Sequence, residues 1–168
     1  VSYPYLGDAL AFATIAHQGQ TYGDRPYIEH PIAVARILLD ATGDPQLAAA
    51  GLLHDTVEDT FVTVPMLSRA GFPTRIVAAV AGVTRGPREL YADFVRRAAA
   101  DEDSRRVKLA DNEHNLSGLP HRDRRHRRYV LARWVLIEAN GGVDLHGNGD
   151  PVLAFHDPEG HLRTWVRE

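Results

Sequence analysis

Apolar residues recur along this chain every three or four positions, the period of helices that bury one face. Leu6, Leu10, Ala13 and Ala16 predict a first helix over 6–18. Gly19, Gly23 and Pro26 make 19–27 a loop. Pro31 opens a helix over 31–41, where its absent amide hydrogen would have had no partner. Asp44 before Pro45 reads as the N-cap of a third helix, whose apolar run, residues 48–53, leads into polar residues 54–60. A short helix over 64–70 stops at Gly71, and 73–84 carries Ile76, Val77, Val80 and Val83 as its stripe. Leu90, Tyr91, Phe94 and Val95 make 89–100 amphipathic, and 104–116 holds Val107, Leu109 and Ala110. The last helix starts in arginines at 123–128 and runs on through Tyr129 to Ile137, ending at Asn140 and two glycines. The pattern predicts an all-α fold, a bundle of about seven helices in one domain over 1–142.

Residues 143–168 differ in kind. Two short apolar runs, 152–155 and 162–166, flank a turn-rich stretch, so a small β-hairpin is expected rather than a helix. This tail is expected to pack on the same domain, with an arm reaching a partner subunit as the alternative.

Composition narrows the chemistry. With 168 residues the chain suits one core, and a net charge of −3 excludes a strongly basic nucleic-acid binder. The chain has no cysteine, which removes disulfides, thiolate metal sites and cysteine nucleophiles, so any metal must be held by histidine and carboxylate. No apolar run reaches the length of a membrane span and the first residues do not read as a signal peptide, so a soluble cytoplasmic protein is expected.

The polar positions at 54–60 carry the sharpest signal. Read as a continuous helix, 52–60 sets His54 and Glu58 in one row and Asp55 and Asp59 in the next, four ionisable groups on one arc. Asp111 and Asn115 repeat that spacing. Imidazole and carboxylate together suit a divalent cation, and His17, His30, His54, Asp55, Asp111 and His114 are the candidate donors. His17 and His114 fit the role of buried hydrogen-bonding partners better than that of ligands. The arginines of 122–128 read as a solvated face or an anionic-ligand rim rather than a specific nucleic-acid site.

Five stretches carry a resemblance: Ala-His-Gln-Gly-Gln (16–20), Pro-Tyr-Ile-Glu-His-Pro-Ile (26–32), Leu-Leu-His-Asp-Thr-Val-Glu-Asp-Thr (52–60), Gly-Val-Thr-Arg (82–85) and Val-Lys-Leu-Ala-Asp-Asn-Glu-His-Asn-Leu (107–116). Together they resemble the HD phosphohydrolase superfamily, and within it the hydrolase domain of RelA/SpoT-type alarmone enzymes, over roughly residues 6–140. The resemblance implies an HD-domain fold with His30, His54, Asp55 and Asp111 as ligands of one divalent ion, most often Mn²⁺. It implies Glu58 and Asp59 as the catalytic acidic pair, Asn115 as a nucleotide contact and Tyr129 as an aromatic beside it. Arg25 and Lys108, with Arg122, Arg124 and Arg125, are the cations expected to grip polyphosphate.

The implied activity is that of a stand-alone small alarmone hydrolase, cutting the 3′-pyrophosphate from guanosine tetra- or pentaphosphate to give GDP or GTP and pyrophosphate. The implied partner is that nucleotide, with no membrane and no specific nucleic acid, and a homo-oligomer is allowed. Departures from the family pattern fall around the substrate: residues 21–25 lack the usual Arg-Lys pair, and Ser117 stands where an arginine is common. An HD phosphatase acting on a nucleoside 5′-monophosphate or on the 2′-phosphate of NADPH is therefore the alternative, and a non-enzymatic nucleotide-binding module the third reading.

Overall fold

The computed structural model describes residues 3, 5–120 and 122–147, together with two strands over 153–156 and 162–165. Nine helices and two antiparallel two-stranded sheets occur among them. In order these are α1 (Leu6–Ala16), β1 (Thr21–Tyr22), β2 (Arg25–Pro26), α2 (Glu29–Thr42), α3 (Pro45–Leu53), α4 (Thr56–Asp59) and α5 (Val64–Arg69). There follow α6 (Thr74–Val83), α7 (Tyr91–Ala100), α8 (Glu102–Gly118), α9 (Arg124–Ala139), β3 (Leu153–His156) and β4 (Leu162–Trp165). The fold is the expected all-α bundle, and β3 pairs with β4 as the tail hairpin. The loop at 19–27 closes as a second, very short hairpin, Thr21 opposite Pro26.

At the centre lies α3, every residue of which from Leu47 to Leu53 is buried. Asp44 caps it as its sequence predicts, the carboxylate accepting from the amides of Gln46 and Leu47 at 2.9 and 3.2 Å. A helix that is apolar all round must be surrounded, and α3 packs against α1, α2, α6 and α8. Each fully buried leucine there contributes about 1.5–3 kcal/mol. The approach of α2 is close because Gly51 has no side chain: a Cβ there would lie 2.7 Å from Leu38 Cδ1 and 3.2 Å from the Ala35 backbone. That closeness sets His30, near the start of α2, beside His54 at the end of α3.

Two apolar clusters result. The larger joins α1, α2, α3, α5 and α6, while the smaller joins Phe94, Val95, Ala98, Leu109, Ala132, Leu136 and Ile137 from α7, α8 and α9. Helix α8 belongs to both, Val107 and Ala110 facing the first and Leu109 the second. The residues of α8 between those faces are the ones that meet the site.

The structure departs from the predicted elements in three places. Residues 52–60 are not one helix: α3 ends at Leu53, His54 and Asp55 form a turn, and α4 is a separate four-residue helix. The cause is local, because the carbonyl of Gly51 bonds His54 Nδ1 at 2.7 Å and that of Leu53 accepts from Thr56 Oγ1 at 2.7 Å. Leu90 is 69% exposed, standing before α7 in extended backbone rather than on its buried stripe. Leu131 and Trp134 also face outward on α9, whose buried positions are His126, Val130, Ala132, Leu136 and Ile137.

Candidate metal centre and its pocket

Four elements meet at one point. His30 comes from the first turn of α2, His54 and Asp55 from the turn between α3 and α4, and Asp111 from the middle of α8. Asp55 Oδ2 lies 3.0 Å from His54 Nε2 and 3.4 Å from His30 Nε2. Asp111 Oδ1 lies 3.2 Å from His30 Nε2 and 3.6 Å from His54 Nε2. Donor atoms of His30, His54 and Asp111 all fall within 4.8 Å of one another, a group able to hold a metal ion. All three residues are buried, at 3%, 2% and 4% exposure.

Every member of this group is oriented from behind. His54 Nδ1 bonds the Gly51 carbonyl, which fixes a hydrogen on Nδ1 and turns Nε2 toward the two carboxylates. That Nε2 is buried and has no hydrogen-bond partner. His30 Nδ1 lies 2.7 Å from Nδ1 of His114. If His30 presents its Nε2 lone pair, its Nδ1–H must donate and His114 must accept, so one contact sets two tautomers. Asp55 Oδ2 accepts from the Tyr27 hydroxyl at 2.6 Å. Asp111 accepts from Lys108 Nζ at 2.7 Å on Oδ2 and from Asn115 Nδ2 on Oδ1.

The electrostatics fit a cation. Burial alone disfavours an imidazolium at His54, but Asp55 and Asp111 outweigh it and push the ring up to about 10. Burial likewise opposes charge on Asp55 and Asp111, yet His54 draws the first and Lys108 the second well below the ordinary carboxylate range. Two carboxylates this reluctant to take protons, facing two imidazole nitrogens, attract positive charge into the space between them. An orphaned Nε2 and a His/Asp donor set match what a divalent ion of the first transition row prefers.

A cavity of about 220 Å³ opens beside this group, lined by His30, Asp55, Asp111, Glu58 and Asp59. Arg85, Arg125 and Arg128 line it too, with Tyr22, Tyr27, Tyr91 and Tyr129. Glu58 Oε2 accepts from the Arg85 amide at 3.0 Å. Desolvation raises the carboxyls of both Glu58 and Asp59 above their usual range, with Asp55 adding to the effect at each. Arg128 lies over the Tyr91 ring at 4.5 Å and over Tyr129 at 5.4 Å.

Of the residues singled out in the sequence, His30, His54, Asp55, Asp111, Glu58, Asp59, Lys108, Asn115 and Tyr129 come together here. Lys108 and Asn115 stand behind Asp111 as well as lining the cavity. Arg25 does not line it: its side chain is 72% exposed and pairs with Glu29 at 3.4 Å. Arg122 and Arg124 are also absent from the lining, whereas Arg125 is present. His17 and His114 prove to be hydrogen-bonded neighbours of the site, His17 Nδ1 lying 2.7 Å from Gln20 Oε1. Sequence reasoning missed the roles of Tyr22, Tyr27, Arg85 and Arg128. Tyr27 stands one helical turn before His30 and Arg85 ends the Gly-Val-Thr-Arg stretch, so spacing held a signal for both.

Helix ends and the middle of α8 thus bring histidines and aspartates together in a group that could hold a metal ion. Residues 9–136 match the HD domain family, and the chain belongs to it. It is 39% identical over 123 residues to a probable guanosine-3′,5′-bis(diphosphate) 3′-pyrophosphohydrolase of Synechocystis sp., covering 66% of this chain and 16% of that protein. It is 36% identical over 126 residues to the bifunctional (p)ppGpp synthase/hydrolase SpoT of Escherichia coli K12, covering 68% of this chain and 18% of SpoT. The chain thus spans 16–18% of the length of these relatives. A metazoan ortholog of SpoT, described as hydrolysing ppGpp and acting in starvation responses, shares the fold at a TM-score of 0.70 with 23% identity, over 87% of this chain and 93% of that one. No helix among the described residues is long and apolar enough to cross a membrane.

Proposed function

We propose that this domain is a metal-dependent hydrolase that removes the 3′-pyrophosphate of guanosine tetra- or pentaphosphate, with Mn²⁺ as its ion. The observation that carries the reading is a single cavity lined by His30 and Asp111, two of the buried group that His54 completes, and by the Glu58–Asp59 pair. His30, His54, Asp55 and Asp111 would hold the ion. Bound there, it supplies Lewis acidity, polarising a phosphoryl oxygen and making water a stronger acid at neutral pH.

The protein's own residues do the rest. Glu58, held in place by the Arg85 amide and made more basic than an ordinary glutamate by burial, takes a proton from the attacking water. Water adds to phosphorus as the bond to the ribose 3′ oxygen breaks, and Asp59, whose raised carboxyl retains its proton more readily, delivers one to that oxygen. Arg85, Arg125 and Arg128 bind the phosphates, and Tyr22, Asn115 and Tyr129 contact the nucleoside. Names of the relatives, which speak of guanosine-3′,5′-bis(diphosphate), support this substrate.

The outward position of Arg25 favours a second reading, a phosphatase of the same site acting on a nucleoside 5′-monophosphate or the 2′-phosphate of NADPH. Incubating the protein with Mn²⁺ and each of these nucleotides separates the two. Pyrophosphate and GDP released from guanosine tetraphosphate, with no orthophosphate from the others, is the expected result. Orthophosphate from a monophosphate or NADPH alone would replace the first reading by the second.

A further inference from the structure

The short hairpin of β1 and β2 and the residues flanking it do more than connect α1 to α2. Tyr27 Oη lies 2.6 Å from Asp55 Oδ2 and 3.0 Å from Asp59 Oδ2, so one phenol joins a carboxylate of the metal group to a carboxylate of the acidic pair. It meets Asp55 on Oδ2, the same oxygen that faces both imidazoles. Gln20 holds the other side of Asp59, its Nε2 donating 2.8 Å to the Asp59 carbonyl. Gln20 is itself held by His17, and the His17 ring lies against the Tyr27 ring with centroids 4.6 Å apart. The amide of Tyr27 donates to the Gln20 carbonyl at 3.0 Å, which closes the loop on itself.

What this arrangement restrains is short of other restraints. Helix α4 has four residues, too few to hold its own end, and Asp59 is its last. Without an external tie the Asp59 carboxylate would be free to turn into solvent.

We infer that Tyr27 and Gln20 are positioning residues: Tyr27 sets Asp55 Oδ2 for the metal and fixes Asp59 at a constant distance from it, while Gln20 anchors Asp59 alone. This rests on the reading of Asp55 as a metal ligand and Asp59 as a working acid. A phenol has one hydrogen, so it cannot donate fully to two carboxylates at once. The shorter contact marks Asp55 as its acceptor, and Asp59 is held by the remaining share or by its own proton pointing at the phenol oxygen. Lost outer partners of metal ligands typically weaken metal binding or activity by roughly 10- to 100-fold.

The two residues then differ in a way that substitutions read directly. Tyr27→Phe keeps the ring that packs on His17 and removes only the hydroxyl. Mn²⁺ binding to the chelated protein, followed by loss of the free-ion electron paramagnetic resonance signal, is expected to weaken roughly 10-fold or more. Turnover is expected to fall as well, at unchanged KM. Gln20→Leu is expected to bind Mn²⁺ as the unaltered protein does while kcat falls. At saturating Mn²⁺ a Tyr27→Phe/Asp59→Asn double variant is expected to turn over no more slowly than Asp59→Asn, because with the ion bound the remaining effect of Tyr27 on chemistry passes through Asp59. Unchanged Mn²⁺ affinity and kcat in Tyr27→Phe, or Mn²⁺ affinity lowered equally in Gln20→Leu, overturns the inference while leaving the metal site standing. An unaltered protein that binds no Mn²⁺ overturns the metal reading and this inference with it. Should Tyr27→Phe fail to fold by its melting curve, the Gln20→Leu pair of measurements decides alone.

Discussion

Two sets of residues wall the cavity, and they are built by different rules. In the metal-fitting set His30, His54 and Asp111 are buried, Asp55 nearly so, and each is tied to a second group: His54 to a carbonyl, His30 to His114, Asp55 to Tyr27, Asp111 to Lys108 and Asn115. In the other set the arginines lie on aromatic rings or near the surface, Arg128 over Tyr91 and Arg125 paired with Asp123 at its own helix start. A wall of the first kind can hold one geometry and little else. One of the second kind can change partners at small cost, since exposed ion pairs contribute about 0–1 kcal/mol. Under the proposed function, the tied set is fixed for chemistry and the arginine set adjustable for recognition.

The sharpest way to break the comparison is to remove a buried ligand. Asp111→Ala is expected to lose both the metal, by elemental analysis, and all measurable turnover. It also strands the Lys108 ammonium, only 12% exposed, without its carboxylate, so the melting temperature should fall with a destabilisation of roughly 3–5 kcal/mol. Glu58→Gln on the same wall is expected to keep stoichiometric metal and lose roughly 10²- to 10⁴-fold in kcat. Equal metal content in Asp111→Ala and the unaltered protein would take Asp111 out of the ligand set.

A smaller effect sharpens the boundary between the walls. Lys108 reads from sequence as a phosphate contact, yet its Nζ lies 2.7 Å from Asp111 Oδ2 and 5.0 Å from the Phe94 ring centroid. Asp111 and burial among apolar neighbours place it with the metal side. Lys108→Met is expected to weaken Mn²⁺ binding by roughly 10-fold to 100-fold at nearly constant KM. A raised KM at unaltered metal affinity would return Lys108 to the substrate.

Those outcomes bear on how much of the molecule its sequence discloses. Helix positions are legible because burial of one face imposes a period, whereas metal chemistry narrows the donors only to six candidates and the resemblance to HD enzymes is what singles out four of them. The break at His54 and Asp55 was not legible. It comes from two side chains bonding the carbonyls of Gly51 and Leu53, which a helical wheel does not represent. Nor was the wall assignment of each basic residue, because arginine is compatible with solvent, with a carboxylate and with phosphate. Arg85 owes its place to the turn after α6, and Arg128 to Tyr91, a contact between segments distant in sequence. Tyr27 lies in the Pro-Tyr-Ile-Glu-His stretch, but only the fold shows that its hydroxyl reaches two aspartates.

On the adjustable wall, Arg128→Ala is expected to raise KM about tenfold with kcat kept, the mark of uniform binding, because one charge-assisted contact contributes about 1.5–3 kcal/mol. Steady-state kinetics on whichever nucleotide is turned over checks this. A fall in kcat with constant KM would mean that Arg128 acts on the transition state, and the two walls would no longer divide chemistry from recognition.

Arg25 gives the smallest expected effect and the cleanest test of where the pocket ends. Sequence resemblance places it among the phosphate contacts, but its side chain points to solvent, 72% exposed, in an i,i+4 pair with Glu29. At 3.4 Å the pair is loose, and no atom of Arg25 lines the cavity. Arg25→Ala is therefore expected to change kcat/KM by less than about twofold and the stability by less than about 1 kcal/mol. A tenfold rise in KM would show that β1 and β2 swing over bound nucleotide and bring Arg25 inward. The phosphate wall would then begin at the hairpin that carries Tyr22 and ends next to Tyr27, and the rigid and adjustable sides of the site would share one loop.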